Sequence, residues 1–161
     1  MITIPPALIR TMQDHATAWY PSECCGLFFA RAGSDAVVRV ECMENLADKL
    51  HARNPEDFPK GGRDYFSLNE RQASRLALEA ANQGERWQGI FHSHVDCGAY
   101  FSREDQDMAA PGGVPVDPLM WHVVMECRNR QVVVARAFLW NGTAYQAHEL
   151  PGFGPGAQKQ E

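Results

Sequence analysis

Residues 87–105 read WQGIFHSHVDCGAYFSRED, and the changes of pattern inside this stretch decide the architecture. Trp87 to His94 is a strand-length run, 95–101 reads as a loop, and Ser102 opens a short helix that Pro111-Gly112-Gly113 breaks. His92 and His94 flank Ser93, and side chains of a strand alternate faces, so both imidazoles leave the strand on one side. Ser102 and Asp105 follow His94 by eight and eleven residues, giving the spacing H-x-H-x7-S-x2-D. A carboxylate at that distance returns to the histidines if a loop and a helix start intervene. Two His and one Asp offer zinc three protein ligands and leave a fourth position for water. That is the layout of a catalytic zinc site, not of a closed structural one.

Outward from this stretch the chain reads as strands interleaved with helices. Residues 5–19 form a helix with Pro5 and Pro6 in its first turn and Leu8, Ile9, Met12, Ala16 and Trp19 at helical spacing. Residues 24–30 (CCGLFFA) and 36–42 (AVVRVEC) form a hairpin. Residues 43–62 lack a clear period and read as a long loop, and Asp64 to Ser67 as a short strand. Asn69 to Gln83 is a helix with Gly84 as its stop. Residues 119–127, 131–140 and 143–148 are β runs, with Asn141-Gly142 as a turn before the last. The tail 151–161, rich in Pro and Gly, reads as disordered. The expected fold is α/β, one domain over residues 1–150, with a mixed, mostly antiparallel central sheet flanked by helices.

Composition excludes some classes of function. The 161 residues suffice for one domain with a core. The net charge of −5, with no basic run, argues against a nucleic-acid partner. No run of eighteen apolar residues occurs, so no membrane-spanning helix is expected. The N-terminal stretch has no basic region followed by an apolar one, which argues against secretion. The five cysteines, Cys24, Cys25, Cys42, Cys97 and Cys127, contain no C-x-x-C pair, and the simplest reading is free thiols in a reducing cytoplasm.

Each piece of the motif also has a plain structural explanation. A histidine on a strand is commonly a surface or core residue. Ser102-Arg-Glu-Asp105 has the form of a capping box, in which Ser caps a helix and an acidic residue caps back. Both readings can hold at once, with Ser102 starting the helix and Asp105 pointing at the histidines. Glu23, in PSECCGLFF at the mouth of the first strand, is either a solvated strand-end charge or the base of the site.

A Glu at the start of an early strand, followed by H-S-H-x7-S-x2-D, resembles the JAMM (MPN-plus) metallopeptidases, in their compact prokaryotic form. The resemblance runs from PSECCG through GIFHSH and YFSREDQDMA to the last strands. It implies a JAB/MPN domain with a cytidine-deaminase-like architecture and one zinc ion per chain held by His92, His94 and Asp105. It implies Glu23 as general base and Ser102 as the donor that stabilises the oxyanion. It implies a ubiquitin-like or sulfur-carrier protein with a C-terminal Gly-Gly tail as substrate, and E1-like or E2-like pathway proteins as further partners. The scissile bond follows that tail, and what leaves is a conjugated protein or a small residue such as cysteine. Ser93 is structural in this reading. The family usually has Pro after the second His; here Val95 stands there, which puts the rigidity of the loop in question. Cys97 is a candidate fourth ligand, Cys25 is expected to share a face with Glu23, and Asn45, His51 and Arg53 are candidate substrate contacts. An inactive interaction scaffold is the rival from another class, and retention of all five motif positions argues against it. The H-x-E and P-C-x-x-C signature of zinc deaminases is absent.

Overall fold

The computed structural model describes residues 1–157. Its centre is a six-stranded sheet ordered β2-β1-β3-β4-β5-β6, in which only β3 and β4 run parallel. The strands are β1 (Cys25–Arg31), β2 (Val37–Met43), β3 (Glu85–Val95), β4 (Trp121–Arg128), β5 (Gln131–Trp140) and β6 (Tyr145–Glu149). Helix α1 (Pro6–Trp19) covers one face with Ile9, Met12 and Ala16. Helix α3 (Glu70–Asn82) covers part of the other, burying Ala73 and Ala80 over Cys25, Leu27 and Phe29. The expected mixed, mostly antiparallel sheet is therefore the one observed.

The helix signals read from sequence act as expected. The side chain of Asn69 accepts the amide of Gln72 at 3.0 Å and caps α3. Asn129 and Arg130 take positive φ, 48° and 64°, as a two-residue β4–β5 hairpin requires. Two glycines make the sheet possible on the α1 side. Gly26 pairs with Phe91 and Gly89 with Phe28 on β1 and β3, so each glycine yields its space to the opposite ring. A Cβ at Gly89 would lie 2.1 Å from the Phe28 ring and 2.4 Å from the Trp121 carbonyl oxygen.

Three expectations need correction. The stretch 43–62 is not all loop, because Ala47–Arg53 forms a helix, α2. Seven residues are too few to show a period, and the helix is anchored by Asn45, whose side-chain oxygen accepts the Ala47 amide at 3.0 Å. Asp64 to Ser67 is not a strand, although the Leu46 amide donates to the Ser67 carbonyl at 2.8 Å. The first part of the tail is laid against the core: Phe153 packs on it, and the Gly154 amide donates to Gln13 Oε1 at 2.9 Å. An aromatic residue that can be buried outweighs the Pro and Gly around it. The remainder of the tail reading, 158–161, lies outside the described residues.

Candidate metal centre

The C-terminal end of β3 carries the site. Phe91 and Ser93 point to the α1 face. The Ser93 hydroxyl accepts the Cys24 amide at 2.8 Å, and the Ser93 amide donates to the Cys24 carbonyl at 3.1 Å. Ser93 is thus a structural residue that ties β3 to the approach of β1. His92 and His94 point to the opposite face, where α4 (Arg103–Ala109) begins. Both histidines and Asp105 are buried.

His92 Nε2 and His94 Nε2 are 3.2 Å apart, and each lies 3.3 Å from Asp105 Oδ2. In a tetrahedral zinc site with bonds of about 2.0–2.1 Å, neighbouring ligands are about 3.3–3.4 Å apart. The three atoms therefore sit at the corners such an ion needs. His94 Nδ1 lies 2.9 Å from the Gly98 carbonyl, an acceptor only, so Nδ1 carries the proton and Nε2 presents a lone pair. That lone pair faces a carboxylate oxygen, an arrangement a cation stabilises. The donor set is compatible with zinc, and it is the one such three-residue group among the described residues.

Asp105 serves two ends. Its Oδ2 accepts the Ser102 amide at 2.9 Å while Ser102 Oγ accepts the Asp105 amide at 3.1 Å, a complete capping box. Ser102 thus starts the helix while Asp105 faces both histidines, in one geometry. Burial would push the Asp105 carboxyl up, but hydrogen bonds with His92 and Ser102 hold it far below the usual carboxylate range. Burial is also the main cause of the lowered affinity of His92 for a proton. Phe66 stacks on the His92 ring at 4.4 Å and Tyr100 packs against His94 at 4.8 Å, fixing both rings.

Glu23 comes to the same place through strand register. Cys25 pairs with His92 at the end of the antiparallel ladder, and Glu23, two residues before Cys25, lines the same cleft as His94. Its amide donates to the Gly62 carbonyl at 2.6 Å and its carbonyl accepts the Asn45 side chain at 3.0 Å. Gly62 is in turn held by Asp48 of α2, whose Oδ1 accepts its amide at 2.7 Å. The unforeseen helix thus helps to seat Glu23. Burial, with Asp105 and Asp64 nearby, pushes the Glu23 carboxyl up to about 9. Glu23, His94, Ser102 and Asp105 line one cleft of about 400 Å³.

Of the candidate contacts in 43–62, Asn45 and His51 are internal braces, and Arg53 is exposed and outside the cleft lining. Asn45 bonds the Glu23 and Tyr65 carbonyls, and His51 Nδ1 lies 2.6 Å from the Phe58 carbonyl. The cleft wall consists instead of Lys60, Arg63, Asp64, Tyr65 and Phe66, residues without periodicity or motif to mark them in the sequence. Cys97 lines the cleft but stands outside the three-donor cluster. Burial pushes the Cys25 thiol up to about 12 and the Cys24 thiol well above its ordinary value, so neither is a thiolate at neutral pH. The loop after Val95 is held without proline. Asp96, at φ 55°, accepts the Tyr20 hydroxyl at 2.8 Å and the Asn129 amide at 3.1 Å, and its own amide donates to the Cys127 carbonyl at 2.9 Å.

Comparison with known proteins gives consistent results. The family described as prokaryotic homologs of the JAB domain matches residues 5–140. The solution structure of protein DSY2949 from Desulfitobacterium hafniense is 25% identical, with a TM-score of 0.69 over 92% of this chain and 90% of that one. The solution structure of a protein from Salinibacter ruber is 19% identical, with a TM-score of 0.62 over 96% and 92% of the two chains. AF2198, a JAB1/MPN domain protein from Archaeoglobus fulgidus, is 14% identical, with a TM-score of 0.55 over 92% and 94%. The last two likenesses bear on the fold alone. No curated protein matches the chain. No helix among the described residues is long and apolar enough to cross a membrane.

Proposed function

The chain belongs to the prokaryotic homologs of the JAB domain, and on that premise we propose that it is a zinc-dependent peptidase. It cuts the bond after the C-terminal Gly-Gly of a ubiquitin-like or sulfur-carrier protein. What leaves is a conjugated protein or a small residue such as cysteine, and E1-like or E2-like proteins share its pathway. The observation that carries the reading is the convergence of His92, His94 and Asp105 at tetrahedral spacing beside the buried carboxyl of Glu23.

Zinc bound by these three residues would supply a Lewis acid that makes water nucleophilic near neutral pH and polarises a carbonyl. Glu23 takes the proton of the attacking water and returns it to the leaving amine. Its raised proton affinity suits the return, and its proximity to the three donors lets a bound cation ease its ionisation. The Ser102 oxygen acts as acceptor in the helix cap, so its hydroxyl hydrogen is free to be donated to the carbonyl oxygen as charge develops there. The segment 64–68 offers a rail for an extended tail. The Tyr65 carbonyl and the Ser67 backbone are bonded to Asn45 and Leu46, whereas neither backbone group of Phe66 has a partner among the described residues. Glycines at the scissile bond permit the close backbone approach the site requires.

The test is a ubiquitin-like protein fused through its Gly-Gly tail to a reporter, with metal content measured alongside. Wild type should cleave, and a zinc-loaded Glu23→Ala should be slower by about 100-fold or more. Full zinc loading with no cleavage of ubiquitin-like or sulfur-carrier fusions would favour an interaction scaffold.

A further inference from the structure

A second cavity, of about 570 Å³, lies beside the metal cleft and shares Tyr65, Phe66 and Asp105 with it. Its walls are largely apolar, with Trp87, Ile90, Phe101, Met108, Val116 and Met120 among them. One group in it is unlike the rest. His122 lines the cavity and is only 7% exposed, yet neither of its ring nitrogens has a hydrogen-bond partner among the described residues. Among the described residues, the fully buried side-chain atoms without a partner are Gln13 Nε2 and Tyr145 Oη, not the His122 nitrogens, which a molecule in the cavity can therefore reach.

Strand pairing fixes where this imidazole stands. His122 pairs with Ile90 in the parallel β3–β4 ladder, and Val124 pairs with His92 two residues on. His122 therefore shares the sheet face of the metal ligands, one step toward the start of β3. Phe101 packs against its ring at 5.0 Å and Tyr145 at 5.4 Å, which fixes the ring's position. Burial drives the imidazole down to about 4, so at neutral pH it is uncharged and offers one N–H donor and one acceptor.

We infer that this groove receives a side chain of the extended tail that enters the cleft, and that His122 selects an uncharged side chain bearing a hydroxyl or carboxamide on an apolar stem. The inference rests on the peptidase reading, since the shared residues make the groove a continuation of the path to the metal. Of the three carboxylates on the groove's lining, Asp105 is engaged by both histidines and Asp117 by Arg86 at 3.3 Å, while Glu70 is exposed, so a charged side chain seated among the apolar walls beside His122 meets no buried opposite charge. A purely aliphatic side chain would fill the space but leave His122 unpaired, and a site built to hydrogen-bond a substrate group rejects the analogue that lacks it. A threonine, glutamine or tyrosine side chain meets both requirements. His122 is in this sense a specificity-determining residue.

The test is binding of short synthetic peptides ending in Gly-Gly, followed by fluorescence anisotropy, with no turnover required. Matched pairs (Thr against Val, Gln against Leu, Tyr against Phe) are placed at each of the three positions before Gly-Gly. At one position the polar member should bind wild type about 10-fold more tightly or better. His122→Leu should erase that difference and leave the apolar peptides bound as well or better. His122→Asn, which keeps a donor and an acceptor, should retain part of it, and it serves also if the Leu variant does not fold. Equal binding within every pair, no binding at all, or the same preference in His122→Leu would overturn the inference. Selective peptide binding without cleavage of any carrier fusion would remove the peptidase reading and leave the groove standing. Cleavage without side-chain selectivity would do the reverse.

Discussion

The two faces of β3 use the same strand for opposite ends. On the α1 face Phe91 fills the space that Gly26 leaves, and Ser93 spends its hydroxyl on the Cys24 amide. Phe91 and Ser93 are both buried there and matched by protein. On the other face His92 and His94 are as deeply buried, but their Nε2 atoms and Asp105 Oδ2 converge on a shared point. On the α1 face, the closed one, polar groups meet partners in their own chain, whereas on the other three donor atoms converge in an arrangement compatible with a metal ion. The lesson is that burial alone does not mark a functional residue. The mark is burial together with polar atoms that converge on one point, as the three donors do in the cleft, or that face a cavity, as at His122 in the groove beside it.

Substitutions should separate the faces. His94→Ala should have the largest effect, lowering bound zinc from about one per chain to background in metal analysis after dialysis. Zinc retained at full stoichiometry would break the contrast. Gly89→Ala should strike the closed face, because its Cβ meets the Phe28 ring and the Trp121 carbonyl. We expect a loss of about 3 kcal/mol or more in denaturant unfolding, and a loss below ~1 kcal/mol would mean the closed face is loosely packed.

Acid should sharpen the difference through His122. Its imidazole is held by burial at about 4 in the fold against about 6.5 in the unfolded chain. As pH falls through that window the unfolded chain takes up a proton that the fold refuses, so stability falls on acidification. His92, lowered by burial as well, acts in the same direction. For zinc-free protein we expect up to about 2–3 kcal/mol from His122 by pH 4, and a shallower slope in His122→Leu. An unchanged slope would show that another group governs it. Ser93→Ala should be the mildest, about 1–2 kcal/mol for an amide left unpaired, with zinc content unchanged. Loss of zinc in that variant would mean the faces are coupled.

Much of this was readable from residues. The alternation of His92, Ser93 and His94 assigned the faces, because strand geometry leaves a side chain no other choice. Ser102 and Asp105 could be read as a helix start with Asp105 aimed at the histidines, and one carboxylate oxygen meets both the Ser102 amide and the two imidazoles. The helix α2 was missed because seven residues carry too little periodicity, and its anchor, Asn45, bonds residues far along the chain. The packing of Phe153 was missed because composition weighs Pro and Gly and cannot see a core waiting for an aromatic ring.

The sequence by itself determined which side chains could form a metal site and that the sheet would be mixed and flanked by helices, since local spacing and strand alternation are properties of neighbours along the chain. Only the tertiary structure decided that Glu23 shares a cleft with His94, that α2 holds it there through Asp48 and Gly62, and that His122 lies in a groove beside the candidate metal donors. Those relations join residues dozens of positions apart. They depend on strand register and on how helices and loops pack over the sheet, which no local pattern records.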